Sequence, residues 1–267
     1  MENSKSIIQD SWNEWSDTWY VKYRTDEAIS KIRNRPESVF HPVTYELIRK
    51  ALPDLQGKRI CVPSSGDNHA VFAFHLMGAQ VTSVDISERQ MENASAIARK
   101  QRWEIEFVCD DTMKLSKVKS SDYDFVYTSN GVHVWINDLE AMYTQIHRIL
   151  KSSGSYIMFD IHPFMRPFGM RTAGNLKVIK PYDATGPFGD IPTYKWRMQD
   201  ILNAALSSGL TIRHMEEMYA ENGSFWVDES SDVADTRSKE ELDALCDWNI
   251  NPLAAIPQWL SFHAVKK

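Results

Sequence analysis

The chain has 267 residues, of which 43% are hydrophobic and 25% charged, and its formal net charge is -6. That length suits one large α/β domain or a domain with an added cap, and the composition is that of a folded globular chain rather than a disordered or fibrous one. An acidic balance without a Lys/Arg block argues against holding a phosphate backbone by charge, so a small molecule is the expected partner and nucleic acid is not.

Cys61, Cys109 and Cys246 lie far apart. They form neither a disulfide framework nor a zinc spacing and are expected to be buried thiols of a reducing cytoplasm. The stretch from Met1 to Asp10 is polar, and no run approaches about 18 apolar residues, so neither secretion nor membrane spanning is expected. Nothing in the sequence sets an oligomeric state.

Residues 1–50 are expected to form an N-terminal helical cap ahead of a main domain over 51–267. Trp12, Trp15, Trp19, Tyr20 and Tyr23 recur at helical spacing there. The stripe is read first as packing onto the main domain, with ligand contact as the alternative.

From 58 to 162, short apolar runs alternate with helical patterns, as βαβ units of a parallel sheet do. Strands are predicted at 59–63, 80–85, 105–108, 123–127 and 155–160, and helices at 69–77, 88–102 and 139–150. Ser87 and Asp138 are expected as N-caps. The stretch 163–192 holds five of the 11 prolines and four of the 11 glycines. It is therefore expected to be an irregular loop over the mouth of the site. A helix at 194–207 leads to a strand at 210–218, and a last strand at 259–265 returns as a reversed hairpin. Between those strands, 221–257 is expected to act as a partial lid, acidic around 228–235 and helical at 239–248. The fold class is thus α/β: a doubly wound, Rossmann-like seven-stranded sheet with a terminal reversed β-hairpin, an N-terminal helical segment and loop insertions at about 163–193 and 221–257.

Chemistry concentrates at the strand ends. After the first strand, Pro63-Ser64-Ser65-Gly66 is a small-residue turn that lets backbone N–H groups approach a ligand at a helix N-terminus. Asp85 ends the second strand, 21 positions after Ser64. That suits a carboxylate accepting from ribose hydroxyls, with Ile86 placed to pack on adenine and Ser87 left to cap the helix. Asp110 and Asp111 end the third strand, where one carboxylate can accept from an exocyclic amine while the N–H of Thr112 meets a ring nitrogen. Asn130 follows the fourth strand onto the same edge.

This order of motifs resembles the class I S-adenosylmethionine-dependent methyltransferases, especially their small-molecule branch, over about residues 51–165. The resemblance implies that Ser64-Ser65-Gly66 lies against the methionine part of S-adenosylmethionine. By the same resemblance Asp85 holds the ribose, Asp111 and Thr112 hold the adenine, Asn130 closes the floor beside the sulfonium, and S-adenosylhomocysteine is the product. The family usually has an acidic residue and two or three glycines in the first motif, whereas this chain has Val62-Pro63 before Ser64 and Asn68 where glycine is usual. Asp67, Tyr20 or Arg24 would then share the hold on the amino-acid end. The family's motif for methylating nucleic-acid amines is absent at 130–133. His133 and His162 are the candidate general bases, because both follow strands on the ligand edge and imidazole titrates near neutrality. Asp160 and His162 are expected to shape the acceptor pocket beside Phe164 and Arg166, and no metal is expected. Two alternatives are an NAD-dependent Rossmann oxidoreductase, for which only Gly66 of the three required glycines is present, and a non-catalytic cofactor-binding module.

Overall fold

Apolar residues alternate along the central strands, so each strand buries side chains on both faces. In β1 (Arg59–Pro63), Ile60 and Val62 face one helical layer and Cys61 the other. In β4 (Tyr123–Ser129), Phe125 and Tyr127 join the first layer and Val126 the second. The computed structural model describes residues 2–169, 176–227 and 236–267. It contains a seven-stranded sheet in the order β3-β2-β1-β4-β5-β7-β6. The remaining strands are β2 (Gln80–Asp85), β3 (Glu106–Cys109), β5 (Leu150–Ile161), β6 (Leu210–Met218) and β7 (Trp259–Lys266). The first five pair in parallel, and β7 pairs antiparallel with both β5 and β6.

One face is covered by α3 (Pro42–Ala51), α4 (His69–Leu76) and α5 (Glu88–Gln101), together with α2 (Asp26–Asn34). Residues 71–74 of α4 are fully buried, because this helix lies between the sheet and α2. The opposite face is covered by α6 (Leu139–Ile149) and α7 (Met198–Ser207), whose Met142, Ile146, Ile201 and Ala205 meet Tyr156, Met158 and Phe262 of the sheet. Ser87 and Asp138 cap α5 and α6 as expected, accepting from Gln90 N and Ala141 N. Between β1 and β4 the chain reverses its direction of sheet growth. Such a switch point leaves a crevice outside the carboxyl ends of the strands.

Several boundaries differ from the sequence reading. β3 starts one residue later. α7 begins at Met198, where Arg197 and Asp200 form a capping box, so 194–197 is not helical. The helix expected over 239–248 is α8 (Lys239–Asp243) followed by a 3-10 turn at Ala244–Cys246. The N-terminal stripe is not one helix: α1 (Glu2–Asp17) ends before Thr18, and Trp19–Arg24 is a 3-10 turn without a buried residue.

The described part of the 221–257 insert has its own small core of Trp226, Leu245, Leu253 and Ala254, packed on Met165 and Ile161. Its acidic run at 228–235 lies outside the described residues. Among the described residues, no helix is long and apolar enough to cross a membrane.

Candidate functional site

The turn after β1 is built around Asp85. Its carboxylate accepts from Gly66 N and from Ser87 N, each at 3.0 Å. One side chain therefore joins the first strand turn to the start of α5. Asp85 is only 5% exposed, and burial pushes its pKa up to about 6 despite the opposing N–H bonds from Ser87, Gly66 and Ile86. Its partners are backbone N–H groups, and it lines the cavity.

Ser64 and Asn68 adopt left-handed backbone, with φ of 50° and 64°. An L-residue there is strained by roughly 1–2 kcal/mol. Side-chain bonds offset the strain: the Ser64 hydroxyl pairs with that of Thr112 at 2.8 Å, and Asn68 donates to Gly66 O at 2.8 Å while accepting from Ser83. This is how the chain builds the turn without the family's glycines. At Gly66, a Cβ would meet nothing within 4 Å, so the backbone borders open space.

A cavity of about 270 Å³ opens on this turn. Of the expected residues, Ser64, Ser65, Gly66, Asp85, Ile86, Asp111, Thr112, Asn130 and Tyr20 line it. Four do not. Pro63 is buried behind the turn. Asp110 faces the following loop, accepting from Lys117 N at 2.7 Å and from the Ser116 hydroxyl.

The expectation that His133 and His162 act as bases at this cavity is corrected by their packing. His133 is 4% exposed, with Nδ1 on Asp160 at 2.9 Å and Nε2 on the Tyr143 hydroxyl at 2.8 Å. His162 is fully buried, with Nε2 on Glu217 at 2.8 Å and Nδ1 accepting from Phe164 N at 3.1 Å. Every ring nitrogen is engaged inside the protein, and neither ring reaches the cavity.

Asp160 instead organises the cavity floor. Its carboxylate accepts from Gly131 N at 2.9 Å and His133 N at 3.2 Å, and Arg166 lies 3.6 Å away. Burial raises its pKa, but the His133 bond and the His133 and Arg166 charges outweigh that and hold it below the ordinary value. The clamp fixes Asn130 and Gly131, both at positive φ, beneath the cavity. Arg166 and Asp160 thus pair with each other rather than with the cavity contents. Among the described residues no group of His, Cys, Asp or Glu is arranged to hold a metal ion.

Among the described residues, the roof comes from the N-terminal segment rather than from the loops expected to cover the mouth. None of the described residues of 163–192 or 221–257 lines the cavity, whereas Lys5, Ile8, Trp12, Trp19, Tyr20 and Tyr23 do. Polar contacts mount α1 on α5: Gln9 donates to Glu88 at 2.8 Å, Asn13 accepts from the Ser87 hydroxyl at 2.7 Å, and Asp17 pairs with Arg89 at 2.7 Å. Arg24 bonds Ser16 O and Gln90 and does not line the cavity. Lys5 pairs with Asp111 at 3.2 Å. Trp135, just beyond the fourth strand end, meets Trp12 and Trp15 with centroids 5.6 Å apart. The aromatic stripe therefore walls the cavity instead of filling the core. Burial, then the charges of Asp67 and Asp85, push the Tyr20 hydroxyl well above its ordinary pKa, so it presents a protonated phenol.

A parallel sheet closed by an antiparallel seventh strand, with a crevice at its switch point walled by Asp85, Asp111 and Asn130, defines the class. That fold is the one of the class I S-adenosylmethionine-dependent methyltransferases. Residues 63–158 match the family described as a methyltransferase domain. No curated protein sequence matches the chain.

Solved structures share the fold. An S-adenosylmethionine-dependent methyltransferase from Mesorhizobium loti superposes with a TM-score of 0.63 at 20% identity, over 83% of this chain and 97% of that one. Magnesium protoporphyrin IX methyltransferase from Synechocystis PCC 6803, solved with bound S-adenosylhomocysteine, gives 0.59 at 17%, over 99% of this chain and all of the other. The [4+2]-cyclase SpnF gives 0.58 at 17%, over 84% and 79%. A cyclase among these neighbours illustrates that a shared fold does not fix the reaction.

Proposed function

We propose that the chain binds S-adenosylmethionine in the strand-end cavity and methylates a small-molecule acceptor by direct displacement, releasing S-adenosylhomocysteine. The observation that carries this is Asp85: a buried carboxylate at the end of β2, bonded only to backbone N–H groups and open to the cavity. Such a group has the remaining acceptor capacity that a ribose diol requires.

When bound, the cofactor supplies an electrophilic methyl group on sulfur. The protein residues position and shield. Asp111 and Thr112 are placed for the adenine, and Ser64, Ser65 and Gly66 for the methionine part. Asp67, which lines the cavity next to Gly66, replaces the acidic residue missing from the first motif, and Tyr20 adds a phenol to the hold on that end. Asn130 and Gly131 form the floor. Residues 1–50 act as a cap that excludes water and aligns the acceptor, while 51–267 is the methyltransferase domain.

A dehydrogenase reading is disfavoured by the same turn. The Gly66 N–H that would meet a pyrophosphate is already bonded to Asp85, and the Asp67 carboxylate beside it would repel phosphate. A cytoplasmic location suits the three free cysteines. The test is to incubate the protein with S-adenosylmethionine and a panel of small nucleophiles and to follow S-adenosylhomocysteine by mass spectrometry. Acceptor-dependent product is expected. Cofactor binding without product from any acceptor would favour the non-catalytic module.

A further inference from the structure

The strand-end residues account for one wall of the cavity, and the other wall is made of rings. Tyr23 and Trp19 lie 5.1 Å apart, Trp19 and Tyr20 4.8 Å, Tyr20 and Trp12 5.3 Å, and Trp12 and Trp135 5.6 Å, centroid to centroid. All five line the cavity. Aromatic faces carry negative potential and attract cations within about 6 Å of the centroid. Two of these rings already do so, with Lys22 Nζ 4.1 Å from the centroid of Trp19 and 5.0 Å from that of Tyr23.

Carboxylates reinforce the preference. Asp67, Asp85 and Asp111 line the same cavity, and Lys5 pairs with Asp111. Asp67 accepts from His69 N at 2.9 Å and lies 3.6 Å from the His69 ring, while Asp85 has backbone partners. Five rings and three carboxylates against the single cation Lys5 make this lining one that favours a positively charged ligand group over an anionic one. An anionic acceptor would be repelled, and a neutral one would forgo most of the available interaction.

We infer that the methyl acceptor is a small organic amine, drawn to the Trp12, Trp19 and Trp135 arc and methylated on nitrogen in its neutral form to give an ammonium product; this rests on the methyl-transfer reading. An amine protonated in solution gives up that proton to bulk water at the mouth of the cavity, before it meets the cofactor. Its lone pair forms the nitrogen–carbon bond to the methyl group as the carbon–sulfur bond breaks, and the electron pair of that bond stays on sulfur as a thioether. With a tertiary amine, the positive charge passes from sulfur to nitrogen and the product is a quaternary ammonium. The arc therefore faces one positive charge before and after transfer.

The test uses the full chain saturated with S-adenosylhomocysteine, titrated calorimetrically with choline and with 3,3-dimethylbutan-1-ol, its neutral carbon isostere. Choline is expected to bind roughly tenfold more tightly or better. Trp12→Leu is expected to reduce that ratio, and Trp19→Leu serves as a second variant because its ring is 39% exposed and its loss is tolerable to folding. Equal or tighter binding of the isostere, or a ratio unchanged in both variants, overturns the inference. So does failure of choline to bind a protein that holds S-adenosylhomocysteine, and in each of these cases the methyltransferase reading stands. A folded protein that fails to bind S-adenosylhomocysteine at all removes that reading, and the amine inference with it.

Discussion

Asp85→Asn separates two roles of one carboxyl group, because the substitution keeps its shape and removes its charge. Burial raises the pKa from 3.8 to about 6 in the folded chain. Between those values the folded state binds more protons than the unfolded state, so stability falls as pH rises through that window and the full penalty stands above about pH 6. The rise is equivalent to about 3 kcal/mol. The variant has no such penalty, although trading one acceptor oxygen for an amide NH₂ facing Gly66 N or Ser87 N costs it about 1–3 kcal/mol at every pH.

Measured against the wild type at each pH, the variant should therefore gain about 3 kcal/mol between pH 4 and pH 7. For a chain of this size that is a relative rise of roughly 6 °C in melting temperature. Thermal denaturation of both proteins, followed by circular dichroism at constant ionic strength across that range, reads the difference. A melting-temperature difference that does not change with pH would refute the assignment of a buried, raised carboxyl. The same variant should lose affinity for S-adenosylhomocysteine by about 100-fold at pH 7, since hydrogen bonds to a charged acceptor are worth about 1.5–3 kcal/mol. Wild-type affinity should fall as pH drops below about 6, where protonation competes with the ribose.

Asp160→Asn should be far more damaging to the fold, because it leaves Arg166 buried opposite a neutral side chain; about 3–5 kcal/mol of stability is expected to be lost, read by urea denaturation. The Asp160 pKa is held below its ordinary value, so its contribution is present above pH 4 and lost only as pH falls through the lowered folded value. In the same variant, hydrogen exchange at Gly131 and His133 should accelerate while that at Ser87 does not. Asn68→Gly tests the altered first motif: glycine relieves the left-handed strain but forfeits the bonds to Ser83 and Gly66 O, and a net loss of about 1–2 kcal/mol in thermal unfolding is expected. A gain in stability would mean that the side-chain bonds do not support the turn. His162→Ala should leave the pH dependence of S-adenosylhomocysteine binding unchanged, and a shifted profile would return that ring to the site.

The sheet and its ligand edge were legible because their signals are local. Alternating apolar runs, the turn at Ser64-Ser65-Gly66 and the carboxylate at Asp85 lie within one βαβ unit, and parallel pairing of β1 with β2 brings their ends together at Pro63 and Val84. What covers that edge was not legible. The spacing of Trp12, Trp15 and Trp19 is that of any buried helix face; its destination is set by Gln9, Asn13 and Asp17 meeting Glu88, Ser87 and Arg89 some 70–80 residues away. The histidines failed for a related reason. A strand end fixes where a ring begins but not where it points, and Asp160 and Glu217, 27 and 55 residues distant, draw His133 and His162 inward. Lys5 carried no signal, and Trp135, two residues past His133, was within reach of the same strand-end reasoning that selected Asn130.

The most direct measurement is calorimetric titration of the full chain with S-adenosylhomocysteine, S-adenosylmethionine and NAD, repeated on Asp85→Ala. The expected result is saturable binding of the first two at one site per chain, no binding of NAD, and severe weakening of both in the variant. Tight binding of NAD, or affinities unmoved by Asp85→Ala, would contradict the placement of the cofactor at the ends of β1 and β2.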